Sequence, residues 1–196
     1  MGRIKSALEI ALERTESVKS DKATIDQFEA KQQGKKLANQ FLEDNTTDLA
    51  EAIKKAPKDQ QSSLKQGIFD VLLSQIILPL SKDDEKRIGA VGRGLQIVIN
   101  DGKFAALYQQ LSQLLARYLD ESAQYEEAIR RQYEPKLRQK EEELARRYGR
   151  AVKLDPLQDP EFVAFYNQNM NALKGQYQAA VDQVRQEAAR IFGEKK

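Results

Sequence analysis

The stretch Gly89-Ala90-Val91-Gly92-Arg93-Gly94 carries the residue types of a phosphate cradle. Its glycines stand in the wrong order for a dinucleotide fingerprint, and no lysine and hydroxyl follow as in a phosphate loop. Ile88, Val91, Leu95 and Val98 recur through it at helical spacing, so the small residues read as a stripe that lets another helix come close. A phosphate nest using Arg93, or a short strand over Leu95 to Ile99, is the alternative. Carboxylates are the other source of chemistry. Asp83, Asp84 and Glu85 are contiguous, so they point in different directions on a helix and complement its positive end. Asp155 and Asp159 suit turn and cap positions. The chain has no cysteine and no histidine, which removes disulfides, thiolate nucleophiles, imidazole bases and His-bearing metal triads. The expectation is a non-enzymatic protein with no catalytic, cofactor-binding or metal-binding residues and no cofactor.

Two further groups of side chains concern partners. Arg130, Arg131, Arg138, Arg146 and Arg147 form a candidate basic surface, joined by Lys136, Lys140 and Arg150. Glu126, Glu127, Glu134, Glu142 and Glu143 each stand four residues before one of those arginines, the spacing that pairs charges along a solvated helix. That compensation argues against nucleic acid, which needs a net basic face. All seven tyrosines lie beyond residue 102, most of them at helical seam positions. Tyr118, Tyr125, Ile129, Tyr133, Leu137 and Tyr148 are the candidate partner-binding residues, because a tyrosine suits a surface that is apolar on one side and wet on the other.

Apolar residues recur by threes and fours in nearly every segment, which predicts an all-α fold. Helices are expected over about 3–18 and 22–43, with a break at Lys19 to Asp21, and Ile25, Phe28, Leu37 and Phe41 facing inward. Gly34 marks either a weak point or a close contact. Asn45 and Thr46 suit the cap of a short helix ending near Ala56, before Pro57. The most apolar segment, about 58–78, should be the central core helix, ended by Pro79. Ser81 and Asp84 resemble a capping box opening a helix to about Ile99. Asn100-Asp101-Gly102 then divides an N-terminal helical bundle, 1–102, from a long antiparallel coiled-coil-like helical hairpin, 103–196. Its first arm runs to about Arg150 with a kink expected near Pro135, or as two helices with Pro135 opening the second; a turn occupies 151–159, and Asp159 and Pro160 open the second arm, which stops at Gly193. A tight connection would set Tyr148 near Phe162 and Tyr118 near Ile191. An arm of that length exceeds the diameter of a compact globule of this size, so the hairpin should protrude.

Residues 2–15, Gly-Arg-Ile-Lys-Ser-Ala-Leu-Glu-Ile-Ala-Leu-Glu-Arg-Thr, with Asp21-Lys22, resemble an uncharacterised family of bacterial helical proteins known as a domain of unknown function. The resemblance implies a bacterial cytoplasmic protein and carries over no site residues. The 32 basic and 30 acidic residues balance, and no apolar run reaches the length of a membrane span, so neither a polyanion nor a membrane is indicated as partner. The resulting expectation is an interaction or scaffold protein that presents its hairpin to a protein partner or a second copy. Nucleic-acid association through residues 130–150 is the first alternative, and a helical bundle binding a small ligand near Gly89 to Gly94 the second.

Overall fold

The computed structural model describes residues 7–44 and 47–195, with side chains from 22 to 43 and from 47 onwards. Six α-helices and one 3-10 turn make up the described elements: α1 (Ala7–Asp44), α2 (Leu49–Lys55), α3 (Gln61–Ser74), α4 (Asp84–Ile99), α5 (Gly102–Tyr148) and α6 (Pro160–Glu194), with the 3-10 turn at Pro156–Gln158. No strand occurs among the described residues, so Leu95 to Ile99 is helical and the fold is all-α. Contacts group the chain into two compact units. One holds the residues up to Ile76, Arg87–Ala105 and Ala188 onwards; the other holds Ile77–Lys86 and Ala106–Glu187. This grouping places 77–86 with the hairpin residues and the end of α6 with the N-terminal helices, whereas the sequence suggests a single boundary at 102.

In the first unit the helix pattern differs from expectation at three places. The break at Lys19 to Asp21 is absent: α1 is one helix of 38 residues. The expected start at Arg3 and the caps Asn45 and Thr46 lie outside the described residues; α2 is capped by Asp48, whose carboxylate accepts from the Glu51 N–H at 2.9 Å. Ile25 and Phe28 are 56% and 62% exposed rather than inward. The buried stripe of α1 is Ala30, Gly34, Ala38 and Phe41.

Small residues win that stripe because α1 and α3 touch backbone to backbone. A Cβ on Gly34 would collide with the Leu64 carbonyl oxygen, and one on Gly67 with the Lys31 carbonyl oxygen. Gly34 is therefore the close contact. Lys31 and Asp70 close the same crossing with an ion pair of 2.8 Å. Behind it α3 buries Leu64, Ile68, Phe69 and Leu72, and Phe69 stacks on Phe192 of α6 with ring centroids 4.1 Å apart.

α3 stops at Ser74, earlier than the apolar run suggests. The Ser74 hydroxyl donates to the Val71 carbonyl at 2.6 Å, and residues 76–79 are non-helical, with Leu78 further disfavoured from helical geometry by Pro79. Asp84 then accepts from the Leu80 and Ser81 N–H groups at 2.8 and 3.3 Å, the carboxylate half of the expected capping box. Within α4 it is Gly94 that serves packing: a Cβ there would lie 2.7 Å from Leu72 Cδ1 and 3.1 Å from a ring carbon of Phe41, whereas Gly89 has only the Arg93 side chain of its own helix near it.

Replacing Gly34 or Gly67 by alanine should lower the melting temperature by several degrees, since overpacking costs about 1–3 kcal/mol and each kcal/mol moves a chain of this size by about 2–4 °C. Gly175, inside α6 with no atom near its missing Cβ, should give the opposite sign on substitution by alanine, a gain of about 0.5–1 kcal/mol. Thermal denaturation of the three variants checks both signs.

Candidate functional site

Residues 106–187 build the site from two helices and the segment that joins them. α5 has 47 residues, about 70 Å at 1.5 Å per residue. It runs unbroken through Pro135, which sits on an exposed face where the carbonyl that loses its partner can meet water. Gly149 ends it at φ 66°, the left-handed geometry that glycine adopts without strain.

Residues 149–159 form a strap rather than a tight turn. They run back along the last two turns of α5, and α6 begins beside Lys140 instead of at the end of α5. The Leu154 N–H donates to Glu141 at 2.8 Å, and Asp155 caps the 3-10 turn through the Leu157 N–H at 3.0 Å. The register shifts accordingly. Phe162 packs against Tyr133 (centroids 5.2 Å apart), and Tyr118 against Tyr177 (4.9 Å), so the Tyr148–Phe162 and Tyr118–Ile191 pairs expected from a tight connection do not form.

Asp159 is the centre of the arrangement. It is the N-cap of α6, as its position before Pro160 predicts, and it is buried at 8% exposure. Its carboxylate accepts from the Tyr133 hydroxyl at 2.9 Å, from Lys140 Nζ at 2.7 and 2.9 Å, and from the Glu161 N–H at 3.1 Å. Lys140 also pairs with Glu161 at 2.9 Å, and Lys136 reaches Glu161 at 2.8 Å. The ammonium of Lys140 holds the Asp159 carboxyl below its usual range. Lys136 and Lys140 together bring Glu161 down to about 2, and Asp159 and Glu161 raise Lys140. Burial, then the Asp159 carboxylate, pushes the Tyr133 hydroxyl up. Further along the seam Tyr177 donates to Glu121, and burial with that carboxylate raises it to about 12.

These side chains saturate one another, so the cluster acts as a clasp between strap, α5 and α6. Beside it lies an open pocket of about 260 Å³. Its floor is Tyr133, Leu137 and Phe162, with Pro156 of the strap on one side. Its rim alternates in sign, with Glu127 and Glu134 beside Arg130 and Arg131.

The candidate partner residues separate on this geometry. Tyr118, Ile129 and Tyr133 are at most 6% exposed, filled in by α6, so they are seam residues and not a free surface. Leu137 is half-buried at the pocket. Tyr125 is 38% exposed with its hydroxyl 3.3 Å from Asn169 Oδ1, and Tyr148 is 60% exposed beneath the Arg147 guanidinium. On the basic surface, Arg130 pairs with Glu126 at 2.9 Å, Arg138 with Glu134 at 2.6 Å, and Arg131 with Glu127. Arg146 and Arg147, by contrast, make no ion pair among the described residues.

Lys140, Asp159 and Glu161 are the residues that sequence reasoning misses as a unit. Asp159 is legible as a cap, but nothing in its spacing announces a lysine nineteen positions earlier as its partner. Among the described residues no three His, Cys, Asp or Glu side chains group as a metal cluster, and no helix is long and apolar enough to cross a membrane.

Residues 50–190 match the family of unknown function DUF6657. The chain belongs to that family. The match spans both helical units and excludes residues 2–15, which carry the resemblance seen in the sequence. No curated protein and no solved structure matches the chain.

Replacing Lys140 by methionine strips the compensating charge from a buried carboxylate and should lower the melting temperature at neutral pH. The sign comes from the carboxylates: their folded-state values are depressed, so their stabilisation is complete above about pH 4.3, the unfolded glutamate value. It is lost as pH falls towards about 2, the folded value of Glu161. The melting difference between wild type and Lys140→Met should therefore shrink steadily between pH 4 and pH 2, as measured by circular dichroism.

Proposed function

We propose that this protein is a non-enzymatic interaction protein of the bacterial cytoplasm and that its α5/α6 hairpin, read as coiled-coil-like, is the docking element for a protein partner. The observation supporting this is the open pocket beside the clasp, an aromatic and aliphatic floor within a rim of both charges. Such a rim complements an amphipathic helix that presents one large apolar side chain flanked by charged residues, and the floor accepts that side chain as an anchor. The titratable groups nearest the pocket are committed to one another in the clasp, which favours recognition over proton transfer. Leu157, 58% exposed next to Pro156, extends the apolar surface along the strap. A second copy of the chain is the competing occupant.

A second reading, nucleic-acid association, draws on Arg146 and Arg147, which form no ion pair with Glu142, Glu143 or any other of the described residues.

Filling the pocket by Leu137→Trp should weaken a purified partner, first identified by capture on the wild-type chain, at least tenfold in a binding titration, with the melting temperature kept. Unchanged affinity, or light scattering that shows self-association alone through the same pocket, would reject the partner reading. A mobility-shift assay with duplex DNA and single-stranded RNA at low salt addresses the second reading, and absence of retardation removes it.

A further inference from the structure

The N-terminal unit holds a second cavity, unrelated to the clasp. It measures about 410 Å³ and lies between the start of α3, the last turn of α4 and the end of α6. Lys58, Lys65 and Lys195 line it, and no carboxylate is among its lining residues. In a chain whose charges nearly cancel, three ammonium groups around one cavity are a local excess.

The three lysines differ in what they can offer. Lys195 is already anchored: its Nζ donates to the carbonyls of Ile99 and Asn100 at 3.1 and 2.8 Å and pairs with Asp101 at 3.1 Å. It caps the C-terminal carbonyls of α4, and Asp101 balances its charge. Lys58 and Lys65 form no ion pair among the described residues. Their six ammonium donors are available to an incoming anion, and two positive charges match a dianion. Gln61 and Ser62 add neutral hydrogen-bonding groups on the face of α3 that carries Lys65, while Phe192 and the last turn of α4 supply an apolar wall. The first turn of α3 carries neither an acidic residue nor a capping side chain, so nothing there opposes the same sign of charge.

We propose that this cavity binds a small soluble phosphomonoester, with Lys58 and Lys65 on the phosphate and the Phe192 side against an apolar or planar body. A phosphate dianion matches the two uncompensated lysines in charge, and the volume leaves room for a ring beyond it. The inference is independent of the pocket in the hairpin, since every lining residue belongs to the N-terminal unit.

Phenyl phosphate is the probe, titrated into the full chain by calorimetry at low ionic strength. Saturable one-to-one binding is expected, at least tenfold weaker in the double variant Lys58→Gln/Lys65→Gln and unchanged in Lys174→Gln, a lysine on the exposed face of α6. Benzyl alcohol, which keeps the ring and lacks the phosphate, should not bind. The proposal is overturned if phenyl phosphate does not saturate, if the double variant binds it equally well, or if only vesicles containing phosphatidic acid are bound. Equal melting temperatures of wild type and the double variant guard against loss of fold.

Discussion

The hairpin depends on where α6 begins, and that is set by one buried carboxylate. Asp159 caps the first turn of α6 and at the same time receives the Tyr133 hydroxyl and the Lys140 ammonium from α5. A buried carboxylate without those donors would be strongly unfavourable, so α6 can start only where Tyr133 and Lys140 can reach it. From that point the pairs recur at helical intervals: Phe162 on Tyr133, Asn169 beside Tyr125, Tyr177 on Tyr118. The pocket beside the clasp is bordered by the same elements, Tyr133 and Leu137 of α5, Phe162 of α6 and Pro156 of the strap.

The N-terminal unit is held by a different constraint. Gly34 and Gly67 allow two helix backbones to meet, and dispersion between closely apposed chains replaces the bulk that larger side chains would supply. This explains why Ile25 and Phe28, the larger apolar residues of α1, are on its exposed side. It also explains Gly94 of α4, which admits Leu72 and Phe41. The segment that most resembled a phosphate loop is part of the helix α4, with Gly94 packed against Leu72 and Phe41. The cavity with cationic character lies elsewhere, at lysines whose positions in the sequence carry no motif.

Membership of a family of unknown function leaves the functional argument with the geometry of this chain. Two cavities of opposite character are present, one apolar with a mixed rim, the other polar and positive. The first is proposed to receive a side chain of another protein, the second an anionic small molecule. Having them in separate compact units gives each its own structural support.

Periodicity and capping were enough for the helical class, the extent of the long arm and the cap at Asp159, because amphipathic spacing and capping are local properties of a few adjacent residues. It misjudged the inward face of α1, since a face lined by alanine and glycine carries little hydrophobic contrast. It also missed the register of α5 against α6, because a strap and a tight turn are equally compatible with residues 149–159, and only the burial of Asp159 against Lys140 distinguishes them. The i,i+4 spacing identified the Glu126–Arg130, Glu127–Arg131 and Glu134–Arg138 pairs, yet could not tell that Tyr118, Ile129 and Tyr133 face α6 rather than solvent. The residues by themselves determined which segments become helices and where several of those begin. Which of their faces meet, and which charges are left without an ion pair among the described residues at Lys58 and Lys65, was decided by tertiary packing, because those energies belong to pairs of residues that are distant along the chain.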